Sequence, residues 1–342
     1  MYGLERGTGM NNNIKAILLL SLFALLLIAV LGNSSEIDSG FNKPEGQIIL
    51  RIAEHHSPDH PVYQGVQAFI EKVETDTQGA VKIVIYEGDV LGSEASVVEQ
   101  VSFGGVEFAV VSGVFLDQYT DMMTSLSMPG LYQDKASMMA VLQDDQLRSQ
   151  LVESLKYEKI NILTIYPDSQ RGIYHNAPTI DALMGKKVLV PESQMKINEV
   201  EAMGFQTVPA DRETVSSYIT SGYVEGAESD LLDYYLSKDY SKAKVFTMTE
   251  SLVPEVFIAS NSAMKQLTVD QQSILMEAAE EAGFLIYERV MDYERDIIEN
   301  LSKQGVVINH LSDHQAYEQN LSNYRNKAGN LDLLKWIEGY NK

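Results

Sequence analysis

The sequence predicts an α/β protein of two lobes joined by a long helix. From residue 47 onward, short apolar runs with strand character alternate with amphipathic helical patterns, the signature of a parallel-rich sheet. The chain has 342 residues, more than one domain of about 150 usually takes. One helical pattern, opening at Thr268, carries Leu275, Ala278, Ala279, Ala282, Leu285 and Ile286 on one side and runs toward Asn300, long enough to serve both lobes.

In chain order, Gln47–Ala53 reads as a strand and Pro61–Thr77 as a helix, with Val62, Val66, Phe69, Ile70 and Val73 at helical spacing and Pro61 in its first turn. Val81–Tyr86 alternates with a period of two, and Ser93 is placed to cap a helix to Phe103. A buried strand follows at Phe108–Val111, helices at Asp134–Leu142 and Asp144–Tyr157, and a strand at Ile160–Tyr166. The stretch Arg171 to Ser193 opens with an arginine after that strand and closes with a short apolar strand running into Pro191-Glu192-Ser193. Beyond it come a helix at Gln194–Met203, a strand at Gln206–Val208, a helix at Arg212–Ser221, a turn and short strand at Gly222–Ala227, and a helix at Ser229–Leu236. A strand at Val256–Ala259 precedes the long helix; a strand at Val306–Ile308 and helices at about His314–Lys327 and Leu331–Tyr340 end the chain.

Composition excludes several function classes. The 48 acidic against 26 basic residues, a formal charge of −22, leave no cationic stripe for nucleic acid. An anionic ligand would have to be attracted locally, because the long-range field repels it. There is no cysteine, which excludes disulfides, thiolate metal sites, thiol catalysis and a lipid-anchored signal. Ile17 to Leu31 carries no charge and follows Arg6 and Lys15, the layout of an export signal or an uncleaved anchor; either puts the remainder outside the cytoplasm. Asn33–Gly46 is rich in Ser, Gly, Asn and Pro and reads as a tether.

Glu54-His55-His56-Ser57-Pro58-Asp59-His60 holds half of the six histidines and follows a strand at the end where ligands bind in open α/β sheets. A metal site built on His55, His56 and His60 is one reading; contiguous ligands lack the facing geometry of a helical pair. No Gly-x-Ser-x-Gly, His-Glu-x-x-His or Gly-Lys-Ser/Thr phosphate loop is present, so neither an enzyme nor a cofactor is expected. Arg171 and Arg212 are the only arginines between Ser149 and Glu288. A guanidinium fork in an acidic region has a structural acidic partner or an anionic ligand.

An ordered series of segments resembles one family. It runs Ile52-Ala53-Glu54 with His60-Pro61, Phe69 to Val73, Thr77-Gln78-Gly79, Leu91-Gly92-Ser93-Glu94, Glu99-Gln100-Val101, Gly105 to Ala109 and Ser112-Gly113. It continues with Arg171, Leu183 to Ser193, Gly204, Val208-Pro209 and Ser221 to Glu228, so the likeness spans about Gln47 to Lys327. The chain resembles the solute-binding proteins of tripartite ATP-independent periplasmic (TRAP) transporters, DctP type. The resemblance implies a periplasmic-binding-protein-like fold of two α/β lobes around a ligand cleft, bridged by a long helix, that closes on a small organic acid and delivers it to TRAP permease subunits in the membrane. It implies no catalysis, and a monomer is expected. It also implies boundaries: a signal or anchor over 1–32, a tether over 33–46, lobe I over 47–168 with about 257–296, lobe II over 169–256 with about 297–330, and a C-terminal helix over 331–342.

One departure is informative. Leu189 stands where the family's carboxylate-binding arginine is expected, and Glu228-Ser229 replaces a Glu-Asn pair. Arg212 stands about where the family has an aromatic side chain, so it is expected to supply the displaced charge. Arg171 matches the family's second cleft arginine, and His55, Glu94, Ser112 and Glu255 are the remaining expected ligand contacts. A neutral or zwitterionic solute in the same fold is the alternative that Leu189 opens.

Overall fold

The computed structural model describes residues 46–311 and 315–340. The expected signal or anchor, the tether up to residue 45 and the expected helix start at His314 lie outside the described residues.

The described chain opens with β1 (Ile48–Glu54), α1 (Pro61–Asp76), β2 (Val81–Glu87), α2 (Glu94–Phe103), β3 (Phe108–Ser112), α3 (Asp121–Leu126), α4 (Lys135–Leu142), α5 (Asp145–Leu155) and β4 (Ile160–Pro167). It goes on to the second sheet with β5 (Arg171–His175), β6 (Lys187–Val190), α6 (Gln194–Ala202), β7 (Gln206–Pro209), α7 (Val215–Ser221), β8 (Gly226–Asp230), α8 (Leu231–Leu236) and β9 (Val245–Met248). The chain then returns to the first sheet with β10 (Pro254–Ser260), α9 (Asn261–Gln266) and α10 (Val269–Lys303), and ends with β11 (Val307–His310), α11 (Gln315–Ala328) and α12 (Leu331–Tyr340). The first sheet has the order β2-β1-β3-β10-β4 and the second β11-β9-β5-β8-β6-β7. Only the strands that cross between lobes break the parallel pattern: β10 is antiparallel to β3 and β4, and β5 to β8 and β9.

The crossovers run side by side. Asp168 N–H donates to the Val253 carbonyl, and Thr249 N–H to the Arg171 carbonyl. The carboxyl ends of the parallel strands in both sheets meet them, which is where open α/β sheets bind ligands. The 35-residue α10 packs along α1 and β4 and, farther along, against α8 and β11. Thr268 starts it with a capping box, its hydroxyl accepting from Gln271 N–H while the Gln271 side chain accepts from Thr268 N–H. Gly65 and Gly283 allow the close approach: a Cβ on Gly65 would meet Ile286 at 2.1 Å, and one on Gly283 would meet Thr164 at 2.9 Å. Glu294 on α10 accepts from Ser169 Oγ and Gln170 N–H and pairs with Lys135, clamping one crossover between the lobes.

The order of elements agrees with the sequence reading, with local corrections. Ser229 belongs to a strand, not to a helix start, because the Asp230 side chain accepts from Asp233 N–H and starts the helix at Leu231. Arg212 lies in a single 3-10 turn ahead of α7 rather than in that helix. Strands β5 and β9 and helices α3 and α9 are short elements that the periodic pattern did not reveal.

Candidate functional site

The first-sheet wall of the cleft comes from the strand ends. Glu255 pairs in register with Ser112 on one side and Tyr166 on the other. Glu54 ends β1, whose apolar residues Leu50 and Ile52 lie in the same core cluster as Val110, Tyr166 and Phe257. Alternation along the strands thus sets Glu54, Ser112, Tyr166 and Glu255 on one face of the sheet, at its carboxyl end. All four are buried, at 0, 8, 1 and 1% exposure. Each has a side-chain oxygen without a hydrogen-bond partner among the described residues: Glu54 Oε2, Ser112 Oγ, Tyr166 OH and Glu255 Oε1; His55 Nε2, just past β1, is a fifth such atom. Buried polar atoms are nearly always satisfied, so these atoms, gathered at one sheet end, are open to a further hydrogen-bond partner.

Neighbours hold this wall in shape. Ser112 N–H donates to Glu94 Oε1 at 2.9 Å, so Glu94, in the first turn of α2, supports the loop that carries Ser112. His55 Nδ1 is 2.9 Å from Asp89 Oδ1. His56 Nδ1 lies 2.6 Å from Glu54 Oε1. Burial disfavours charge on His56, but Glu54 outweighs it and raises the imidazole to about 9. The imidazolium ring stacks on His60 with centroids 4.1 Å apart and 26° between planes. His60 caps α1, its Nδ1 accepting from Val62 N–H, and burial followed by the charge on His56 keeps it neutral.

The opposite wall, from the second sheet, is charged and internally paired. Arg171 opens β5 and gives Nε and Nη2 to the two Glu228 oxygens at 2.6 and 2.7 Å; both side chains are buried. Lys196 on α6 lies 3.4 Å from Glu228, 2.8 Å from Glu199 and 3.0 Å from Ser251 Oγ. Burial alone would push Glu228 up, yet Arg171 and then Lys196 draw it down to about 2. Arg212, with its side chain 49% exposed, gives Nη2 to Asp233 on α8. Although burial would raise Asp233, Arg212 foremost, then the charged His56, hold it well below the usual carboxylate range.

The two walls face each other through these groups. Among the described residues, ligand atoms of His56, His60 and Asp233 lie within 4.8 Å of one another. Two features make this a poor metal cage. Stacked rings aim their in-plane lone pairs along near-parallel planes, and the His60 Nδ1 lone pair is used by the backbone. His55 is not part of the cluster; its contact is Asp89, so the three-histidine set read from the sequence is not assembled. Asp168 and Asp230 lie buried near Arg171 without ion pairs of their own among the described residues, and burial pushes both upward.

Leu189 is 2% exposed within the apolar cluster that includes Val215, Val224, Ala227 and Leu231, so it gives the cleft no polar group. Ser229 is half-buried on β8, in register with Gly172. The sequence reading passed over Glu54, Tyr166, Asp168, Asp230 and Asp233. Glu54 and Tyr166 could have been found, since Tyr166 ends a predicted strand and Glu54 directly follows one at the carboxyl edge; the three aspartates had no such signal.

Comparison with known proteins follows the same outline. The model of the bacterial extracellular solute-binding protein, family 7, matches residues 52–327. A solute-binding protein of Chromohalobacter salexigens is 24% identical over 271 residues, covering 77% of this chain and 79% of the relative. A TRAP periplasmic solute-binding protein of Xanthobacter autotrophicus, solved with bound β-D-galacturonate, superposes with a TM-score of 0.80 at 24% identity, covering 85% of this chain and 99% of that one. Another from Sulfitobacter, also with β-D-galacturonate, gives 0.78 at 25% identity, covering 85% and 98%.

Proposed function

We propose, from the premise that this chain belongs to the bacterial extracellular solute-binding proteins of family 7, that it captures a small hydroxylated organic acid between its lobes and hands it to a TRAP-type membrane permease. The observation that carries this reading is the set of unpartnered buried oxygens on Glu54, Ser112, Tyr166 and Glu255 at one sheet end. Hydroxyl groups of a sugar acid, each donor and acceptor, complement such a set. The galacturonate in two similar proteins supports the same class of solute.

The solute carboxylate goes to the opposite wall. Arg212 uses only Nη2 among the described residues, and Arg171 uses Nε and Nη2, so both guanidinium groups keep donors for a further anion. Since Leu189 contributes no charge, Arg212 takes the role of the missing arginine. His55, Glu94, Glu228 and Ser229 complete the contacts or hold them in place. Lobe I is read as 47–168 with about 257–296, and lobe II as 169–256 with about 297–330. The lobes close on the solute as rigid bodies about the paired crossovers. The apolar run before residue 32 is read as the export signal or anchor, and the mature protein as a monomer outside the cytoplasm. No helix among the described residues is long and apolar enough to cross a membrane.

A thermal-shift screen of uronates, other organic acids, amino acids and polyols tests the reading. A solute that binds only the folded form raises the Tm by mass action. The expected result is a rise with hydroxylated acids that is lost in Arg212→Ala. A rise confined to polyols or amino acids would overturn the assignment of an acid.

A further inference from the structure

Glu255 is the one acid of the first-sheet wall with nothing to balance it. Glu54 has His56, and Glu94 has the Ser112 N–H. Glu255 is 1% exposed, makes no ion pair among the described residues, and leaves Oε1 without a partner. Its strongest electrostatic neighbours are four other carboxyl groups: Asp168 at the crossover, Glu94 on α2, Glu54 on β1 and Asp230 on β8. The phenol of Tyr166 sits beside it on β4 and adds no positive charge. Cations of the cleft are engaged elsewhere: Arg171 and Lys196 with Glu228, Arg212 with Asp233, His56 with Glu54.

A carboxylate buried among carboxylates, with no cation beside it and an oxygen that no protein group bonds, is an unfavourable species; taking up a proton removes the cost. We infer that Glu255 stands in the cleft as a neutral carboxylic acid and donates its O–H to an oxygen of the bound solute. This rests on the reading of the solute as an organic acid. A neutral carboxyl offers one donor and one acceptor where a carboxylate offers acceptors only. An acid-lined wall would repel an anion, whereas a protonated one can bind it. Arrival of a second negative charge favours the protonated form further, so the solute and the proton bind cooperatively. Burial first, then Asp168, Glu94, Glu54 and Asp230, raises Glu255 well above the usual carboxylate range, in line with this assignment.

The sign follows directly. Affinity is full while Glu255 stays protonated and declines as rising pH ionises it. Two measurements test the inference, with D-galacturonate as the probe solute. Infrared spectra of solute-free protein at pH 7 are compared between wild type and Glu255→Gln, with Asp168→Asn and Asp230→Asn as parallel variants. The expected result is a protonated-carboxyl band component that Glu255→Gln removes and that Asp168→Asn and Asp230→Asn leave in place; a spectrum from which Glu255→Gln removes no such component overturns the neutral state. Calorimetric titration from pH 6 to 9 then reads the donation. Glu255→Ala should bind about tenfold more weakly than wild type at pH 6. Glu255→Gln, which keeps a donor, should recover part of that loss, and its affinity should no longer fall as pH rises. Equal weakness of Gln and Ala with a flat wild-type profile overturns the donation. If wild type binds no acid at all, the reading of the solute fails and the donation fails with it, while the infrared comparison still decides the neutral state.

Discussion

The two walls of the cleft solve the problem of burying polar groups in opposite ways. On the second sheet's side the cations named above are paired: Arg171 with Glu228, Lys196 with Glu199 and Glu228, Arg212 with Asp233. On the first sheet, oxygens of Glu54, Ser112, Tyr166 and Glu255 are buried and unpartnered. The difference separates stability from recognition. A paired buried charge is costly to disrupt, because its partner is left stranded. An unpartnered buried oxygen holds little together, and in the proposed reading it gains its bond only when a solute arrives. Substitutions on the two walls should therefore damage different properties, and several would break or sharpen this contrast.

The largest effect is expected at Glu228. Glu228→Ala leaves Arg171 buried with no bidentate partner and Lys196 with only Glu199, and should cost about 3–5 kcal/mol of stability. Urea denaturation measures this; a loss under 1 kcal/mol would mean the pair holds nothing together. The acid side of the stability profile should point to the same residue. Its carboxyl is held down at about 2, so its contribution is complete above the ordinary value of 4.5 and is lost as pH falls through about 2. Wild type should lose this increment over that window, and Glu228→Gln should not.

His56 gives the next effect, with the opposite sign. Its folded value is raised to about 9, so the stability from its pair with Glu54 is complete below the unfolded value of 6.5 and is lost as pH rises through about 9. Denaturation curves from pH 6 to 10 should show this decline, and His56→Gln should flatten it. A wild-type profile already flat over that range would remove the charged histidine from the picture.

On the unpartnered wall, Ser112→Ala and Tyr166→Phe should leave the Tm nearly unchanged or slightly higher. Each should weaken solute binding by about 0.5–1.5 kcal/mol, one hydrogen bond apiece. Calorimetry with a bound sugar acid measures the loss; unchanged affinity in both would disconnect this wall from recognition. At Arg212 too the stability change should be small. Its side chain is half-exposed, so breaking the pair with Asp233 should cost no more than about 1 kcal/mol. Its effect on affinity should be much larger than that, which is the sharpest single test of the exchange with Leu189.

How far the sequence went depended on the length scale of each signal. The alternation of strands and helices, and α10 itself, follow from local periodicity, which 16 residues in α1 and 35 in α10 display several times over. Strands β5 and β9 have five and four residues, largely buried, with no alternation to read. Of the cleft residues, those next to a strand end were within reach: His55, Ser112, Arg171 and Glu255 were expected there, and Glu54 and Tyr166 occupy equivalent positions. Asp233 was not, because α8 shows its apolar pattern without indicating which polar residue faces the other lobe.

By itself, then, the sequence determined the α/β alternation, the bridging helix, the family and the fact that position 189 carries no charge. These depend on local patterning or on residue identity, and both are written along the chain. Only the tertiary structure decided the partners. Arg171 meets Glu228 across 57 residues and Arg212 meets Asp233 across 21. Sheet order sets which side chains share a face, and in an acidic chain many carboxylates could have served each arginine. It also decided which oxygens would have no partner, because burial without satisfaction belongs to the assembled cleft and to no single segment.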